Sequence, residues 1–169
     1  SSLFYIDLKN KILWLPTASS NLWRPRNVGD VTHKGIETYI NLSKKIDEHL
    51  FKFSTNYTFT LAKTKETNKF LPYAPKHLLN FNLNYGYKKI TFLLQHLYQS
   101  KVYTNDINID FYSLNSLNVT NVGADFKFFN NYNIIIGCKV NNIFNKVYYF
   151  SNLRPMPGTN FNININYKF

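Results

Sequence analysis

The last ten residues of the chain alternate between apolar and polar side chains without exception. Apolar side chains occupy the odd positions from Phe161 to Phe169, whereas asparagines and one lysine occupy the even positions from Asn160 to Lys168. Because successive side chains of a β-strand point to opposite faces, one face of this strand is apolar and the other is polar. A strand with an apolar outer face and a terminal aromatic residue is what a membrane-spanning β-barrel requires.

The same period of two recurs along the whole chain and predicts eight strands. They lie at 3–15, 28–44, 50–64, 77–87, 90–103, 113–129, 132–143 and 158–169. In the seventh strand, Ile135 is an exception to the pattern. No window approaches the roughly 18 consecutive apolar residues of a membrane helix, so any span must be a strand. The predicted fold class is therefore all-β, an antiparallel transmembrane β-barrel segment.

Short and long connections alternate strictly between the predicted strands. The short ones are 45–49, 88–89 and 130–131, and the long ones are 16–27, 65–76, 104–112 and 144–157. Outer-membrane barrels have short periplasmic turns and long extracellular loops, so this pattern predicts that the chain ends on the periplasmic side. Aromatic residues then form a girdle at the periplasmic strand ends. They are Phe51, Phe53, Tyr85, Tyr87, Phe92, Phe126, Phe128, Tyr132, Tyr167 and Phe169.

The formal charge of +11 is spread along the chain, with no run of more than two basic residues. Neither a recognition helix nor an RNA-binding aromatic motif accompanies it, so nucleic acid is not a predicted partner. The cations instead suit lipopolysaccharide phosphates or a polar lumen. The single cysteine, Cys138, excludes an intrachain disulfide.

Residues with catalytic or metal-binding chemistry are dispersed. The four histidines, His33, His49, His77 and His96, have no metal-ligand spacing. The chain also lacks a nucleophile motif and a glycine-rich phosphate loop. The sequence therefore predicts neither an enzyme nor a bound metal or cofactor.

Four segments together resemble the TonB-dependent outer-membrane receptors. Residues 142–148, Asn-Ile-Phe-Asn-Lys-Val-Tyr, resemble the segment that precedes the final strand of that family, and Arg154-Pro-Met-Pro-Gly158 resembles its C-terminus. An arginine often follows that glycine in the family, whereas this chain has Thr159. Residues 71–77 resemble a proline-flanked return into an earlier strand. Residues 23–29, which lead to 34–37, are similar to Bacteroidetes-type members, some of them cobalamin receptors.

The resemblance implies a barrel of about 22 strands that is filled by an N-terminal plug. Residues 1–169 are then expected to be the C-terminal part of that barrel, without the plug and the early strands. The implied partners are outer-membrane lipid and lipopolysaccharide, the rest of the barrel and its plug, and the TonB system through the missing N-terminal region. A surface lipoprotein or other outer-membrane subunits are also compatible with the resemblance.

The predicted function is part of a TonB-dependent outer-membrane transporter. It would actively take up a scarce metal chelate or cofactor of the siderophore, haem or cobalamin class. One alternative is a small self-contained outer-membrane β-barrel with a structural or adhesive role. Another is a soluble ligand-binding barrel, which would stay monomeric without detergent.

Aromatic and charged residues of the long connections are the candidates for ligand contact, since such side chains supply much of the affinity of small binding sites. They are Trp14, Trp23, Arg24, Arg26, Tyr73, Tyr103, Asp106, Asp110, Tyr149 and Arg154. By resemblance, Tyr167 and Phe169 form a signal that the outer-membrane assembly machinery reads.

Overall fold

The computed structural model describes residues 1–16, 22–128 and 134–167, and most of the described residues belong to β-strands. One short 3₁₀ turn spans Asp110–Tyr112. No helix among the described residues is long and apolar enough to cross a membrane. The strands are β1 (Ser2–Leu8), β2 (Ile12–Pro16), β3 (Trp23–Asn27), β4 (Val31–Ile46), β5 (His49–Thr64), β6 (His77–Tyr87), β7 (Ile90–Gln99), β8 (Val102–Tyr103), β9 (Ser113–Leu114), β10 (Leu117–Phe128), β11 (Ile134–Asn141), β12 (Tyr149–Ser151), β13 (Arg154–Pro155) and β14 (Asn160–Tyr167).

Eight of these strands form one antiparallel sheet, in the order β1-β4-β5-β6-β7-β10-β11-β14. Each strand pairs with the next long strand along the chain, which is the up-and-down order predicted from the period of two. The order does not close on itself, because β1 and β14 are the two edges of the sheet. The predicted all-β antiparallel barrel segment of about eight strands is confirmed.

The register places the apolar positions of neighbouring strands opposite one another. Cys138 pairs with Ile163 and Ile136 with Ile165, and on its other side Ile136 pairs with Phe126. Directly paired residues of neighbouring strands point to the same face, so the apolar residues form one continuous surface. We call it the apolar face, and the opposite surface, which carries the asparagines of β14, the polar face.

The buried core of the structure lies at one end of the sheet, among the long connections. Val31, Ala62 and Leu71 form a buried cluster, and Leu8 and Val28 are among the residues packed against it. In contrast, Ile163 and Ile165 in the middle of β14 are 67% and 69% exposed. An apolar surface of this kind is what a strand shows when lipid, rather than another protein layer, covers it.

The first predicted strand, 3–15, is wrong as a continuous element. The chain turns at Asn10, which has φ 51°, and Asn10 N donates a hydrogen bond to Asp30 Oδ1 (3.0 Å). Beyond this turn, β2 pairs with β3, which lies inside the predicted connection 16–27. The connection from β3 back to β4 turns at Gly29, which has φ 78°. The positive φ of Asn10 interrupts the extended backbone, so β1 and β2 are separate strands that belong to different sheets.

Two other predicted strands are shorter than expected. The predicted strand 90–103 ends at Gln99, and the predicted strand 113–129 begins its main-sheet pairing at Leu117. The residues between them form the small β8–β9 hairpin instead. The turns at 47–48 and 88–89 are short, as predicted, with Asp47 and Lys88 at positive φ. The predicted turn 130–131, Tyr132, and residues 168–169 lie outside the described residues.

Candidate functional site

Four long connections emerge from the same end of the sheet. The first loop (9–30) contains β2 and β3, the second (65–76) joins β5 to β6, the third (100–116) contains β8 and β9, and the fourth (142–159) contains β12 and β13. All ten predicted ligand-contact residues lie in these ranges, and nine of them are extended or turn residues of the loops. The tenth, Asp110, belongs to the 3₁₀ turn of the third loop.

Residues of the first three loops that were predicted separately meet in the structure. The rings of Trp23 and Tyr73 have centroids 5.8 Å apart and are tilted by 32°. Arg26 Nη2 lies 3.3 Å from Asp106 Oδ2. Tyr73 N also donates a hydrogen bond to the carbonyl oxygen of Tyr103 (2.8 Å). One aromatic contact, one ion pair and one backbone hydrogen bond therefore join the three loops, and we call these five residues the loop junction.

Asn108 holds the second and third loops together, and no sequence pattern predicts this role. Its Oδ1 accepts a hydrogen bond from Phe70 N (2.6 Å), and its Nδ2 donates to the Phe70 carbonyl oxygen (2.9 Å). Asn108 has φ 60°, a conformation that asparagine adopts more readily than most residues. This two-way pairing imitates a short β-ladder and fixes the third loop against the second.

A cavity of about 330 Å³ lies between the first three loops. It is lined by charged groups of both signs, Arg26, Lys69 and Asp106, together with the apolar side chains of Phe70 and Ile107. Polar groups that converge on an apolar recess are typical of small-molecule sites. Within the junction, the Tyr73 hydroxyl is buried and has no hydrogen-bond partner among the described residues. Tyr73 is not among the residues that line the cavity, so its hydroxyl is enclosed within the junction.

Asp110 has a partner within its own loop. Its carboxylate accepts a hydrogen bond from Lys101 Nζ at 2.5 Å, and this contact raises the pKa of the lysine above its ordinary value. Lys101 Nζ also lies 5.3 Å from the centroid of the Tyr103 ring. Asp110 thus positions a cation over an aromatic ring and does not line the cavity between the first three loops.

The fourth loop contributes to a second cavity. Tyr149 pairs with Pro155 in the small β12–β13 hairpin, next to Arg154. Tyr148, Tyr149 and Leu153 line a cavity of about 500 Å³, whose other side is the segment 113–116 of the third loop. The two cavities share no lining residue. Tyr149 is thus separated from the loop junction, and Trp14 and Arg24 line neither cavity.

The segment 142–148 has a structural role. The side chain of buried Asn142 accepts a hydrogen bond from Lys146 N (2.9 Å) and donates one to the Lys146 carbonyl oxygen (2.8 Å). Thr159 Oγ1 donates to the carbonyl oxygen of Asn142 (2.7 Å), so the residue at the start of the fourth loop also holds its end. Tyr167 ends β14, whereas Phe169 lies outside the described residues, and their role in assembly stays a prediction.

Comparison with known protein families places most of the chain in a family model. Residues 1–143 match the family model described as TonB dependent receptor-like, beta-barrel. No curated protein sequence matches the chain.

Solved structures with the same fold are larger than this chain. The siderophore receptor PiuA from Acinetobacter baumannii is 18% identical with a TM-score of 0.74, and the match covers 99% of this chain and 25% of PiuA. The ferric-catecholate import receptor Fiu from K12 E. coli is 17% identical with a TM-score of 0.75, and the match covers 99% of this chain and 24% of Fiu. The copper transporter OprC is 19% identical with a TM-score of 0.71, and the match covers 98% of this chain and 27% of OprC. The chain therefore spans about a quarter of the length of these structures.

Proposed function

The chain belongs to the TonB dependent receptor-like β-barrel family, and from this premise we propose that it is part of a transporter for active uptake of a scarce metal chelate or cofactor. Proteins of this family are outer-membrane transport receptors of Gram-negative bacteria, and the outer membrane is the location of this chain. The substrate that we propose is of the siderophore, haem or cobalamin class. Solved relatives are described as receptors for siderophores and as a copper transporter.

The observation that carries the proposal is the loop junction. Trp23, Arg26, Tyr73, Tyr103 and Asp106 come from three separate loops and lie together at one end of the barrel wall. Aromatic residues and arginines are enriched among the side chains that contribute most to binding energy, and Trp23 and Arg26 are exposed enough to meet a ligand. Under the proposed orientation these loops are extracellular, where a transporter first captures its substrate.

We further propose that residues 1–169 form the C-terminal part of a larger barrel. The two edge strands, β1 and β14, present unpaired backbone groups, which cost several kcal/mol each in lipid. Strands from the rest of the protein would pair with both edges, a plug would occupy the lumen, and TonB would contact a region outside these residues. A self-contained eight-stranded barrel would instead pair β1 with β14, so the open sheet argues against the structural or adhesive alternative.

The uptake proposal can be tested in a strain that lacks the gene and carries the full-length protein on a plasmid. Accumulation of labelled ferric siderophores, haem, cobalamin and copper would be measured with and without a functional TonB system. TonB-dependent accumulation of one of them is expected. If none accumulates above the level of the deletion strain, the uptake proposal is wrong.

The role of the loop junction can be tested with Trp23→Ala in the full-length protein. Loss of one aromatic anchor is expected to raise the half-saturating substrate concentration about tenfold or more. The control is Phe111→Ala, because Phe111 is an aromatic residue of the third loop that is 84% exposed and contacts the ring of Tyr112. An equal effect of both substitutions would show that the junction has no special part in substrate capture.

A further inference from the structure

The first loop is fastened to the sheet at its base. Lys11 N donates a hydrogen bond to the carbonyl oxygen of Gly29 (2.9 Å), and Val28 N donates one to the carbonyl oxygen of Lys11 (2.8 Å). Leu13 and Val28 pack against the buried cluster, which belongs to β4, β5 and the second loop. These contacts hold the β2–β3 hairpin over the loop end of β4 and β5, and we call this arrangement the seated hairpin.

His33 lies beside the buried cluster, on the polar face of β4. It pairs directly with Ala62 of the cluster and, on its other side, with Ile6 of β1. β4 has 16 residues, of which about ten are needed to cross an apolar band of about 25 Å at a tilt of about 40°. On the apolar face, Lys34 and Lys44 enclose an uncharged stretch of that length, so His33 lies just outside the band, at the loop end.

The imidazole of His33 has a buried nitrogen without a partner. The described residues bury its Nε2 atom and offer it no hydrogen bond. Burial lowers the pKa of His33 below its ordinary value, and the positive charge of Lys11 lowers it further. A neutral imidazole leaves one nitrogen unpaired, whereas an imidazolium would add an unpaired charge at the same place, which costs much more. His33 is therefore uncharged at neutral pH while the hairpin is seated.

The strands next to His33 place few charges on its face. Within four positions of His33 and its paired residues on β1, β4 and β5, Glu37 is the one charged side chain on the polar face, four residues toward the membrane centre. The other ionisable residues at this end of the three strands belong to the apolar face. They are Tyr5, Asp7, Lys34 and Lys63.

The two loops that cover the cluster contribute mainly cations. Their two carboxylates have other neighbours, since Asp30 accepts a hydrogen bond from Asn10 N (3.0 Å) and Glu66 lies beside Gly29. Neither is a hydrogen-bond partner of His33 Nε2. Besides Lys11, the charged residues of these loops are Lys9, Arg24, Arg26, Lys65, Lys69 and Lys76. A proton on His33 would therefore add to positive charge, without a paired carboxylate.

We propose that His33 is a pH-sensitive switch for the first loop, which seats the β2–β3 hairpin when the imidazole is neutral and releases it when the imidazole is protonated. Release would expose the new cation to water. Because the pKa is lower in the seated state than in the released state, seating is fully stable above the ordinary pKa of about 6.5 and is lost as the pH falls through that value.

The switch would also regulate the loop junction. Trp23 and Arg26 belong to β3, so release of the hairpin separates them from Tyr73 and Asp106. Weaker substrate capture in acid then follows, a consequence that rests on the proposed function. The movement of the hairpin itself does not depend on the substrate.

The experiment is hydrogen–deuterium exchange mass spectrometry of the full-length protein in detergent, without substrate, at pH 7.5 and pH 5.5. Exchange rates are corrected for the intrinsic effect of pH on amide exchange. The amides of Lys11 and Val28, which close the base of the hairpin, are expected to lose protection about threefold or more at pH 5.5. Peptides from β6 in the middle of the sheet are the internal reference and should keep their protection.

Three variants assign the effect to His33. His33→Gln is uncharged at both pH values, so its hairpin should be equally protected at both. His96→Gln is the matched control, because His96 Nδ1 is bonded to Thr120 Oγ1 (2.9 Å) in the β7–β10 pair, and this variant should respond to pH as the wild type does. Lys11→Gln removes the like charge and should reduce the loss of protection in acid.

Several results would overturn the switch. Equal protection of the wild-type hairpin at the two pH values would show that the hairpin does not respond to acid. A full response in His33→Gln, or in His33→Phe if the glutamine variant does not fold, would assign the response to another group. Loss of the response in His96→Gln would show a general effect of acid on the barrel. Since substrate is absent, each of these results would leave the uptake proposal standing.

Discussion

Ile163 and Asn164 are sequence neighbours with opposite surroundings. Ile163 pairs with Cys138 on the apolar face and is largely exposed. Asn164 pairs with Gly137 on the polar face, and a side chain at Gly137 would collide with the carboxylate of Asp125 and the amide of Asn164. A larger residue at position 137 would therefore displace the ends of these two polar side chains. The period of two in the sequence was sufficient to predict these surroundings.

The first prediction compares arginine at these two positions. Ile163→Arg, near the middle of the apolar band, should destabilise the full-length barrel by about 2 to 4 kcal/mol, because a charge would face hydrocarbon. Asn164→Arg should cost less, since the new cation lies on the polar face beside Asp125. Urea unfolding in lipid vesicles measures both. Similar losses of free energy of unfolding would mean that the two faces are assigned incorrectly.

The residues that the sequence did not reveal act across long separations. Asn108 pairs with the backbone of Phe70, 38 residues away, and no local pattern reports such a contact. Aromatic and charged residues in the loops could be selected as candidates by type alone. Which of them would meet, such as Trp23 with Tyr73, depends on how the loops pack, and period and composition do not encode that packing.

At the scale of the strands, the membrane-spanning segments were predictable and the loop hairpins were not. β5, β6 and β14 alternate because each has one face in lipid and one in the lumen, and their predicted bounds are close to those observed. The β2–β3 hairpin lies outside the eight-stranded sheet, so it does not share the two faces of that sheet. Residues 12–15 of β2 were assigned to the predicted strand 3–15, whereas β3, in which Pro25 separates two arginines, was assigned to the connection 16–27.

The second prediction concerns the side of the membrane on which the loops lie. An epitope inserted between Asp106 and Ile107, in the third loop, should be labelled by antibody on intact cells. An epitope inserted between Lys88 and Lys89, in the short β6–β7 turn, should be labelled only after the outer membrane is opened. Short turns fit the periplasmic side and long loops the extracellular side. Labelling of the turn but not the loop on intact cells would reverse the topology.

At the scale of the whole molecule, the described eight-stranded sheet is open and has two edge strands that pair on one side only. β1 is the edge strand on one side and β14 on the other, and both have exposed apolar side chains, such as Leu3 and Ile163. Water cannot satisfy the edge N–H and C=O groups inside a bilayer, so membrane barrels are closed. That β1 and β14 would not pair with each other was predictable only from the family resemblance, because a closed eight-stranded barrel is also physically allowed.

The last prediction follows from those edges. Residues 1–169 expressed alone with an export signal should not reach a folded state in the outer membrane, because pairing of β1 and β14 with missing strands is what stabilises each edge. The full-length protein should show the shift in gel mobility between heated and unheated samples that folded barrels give, and it should resist added protease. The isolated segment should show neither property. A heat-sensitive, protease-resistant band from residues 1–169 alone would mean that the two edges can pair with each other, and would favour the self-contained eight-stranded barrel over the larger transporter.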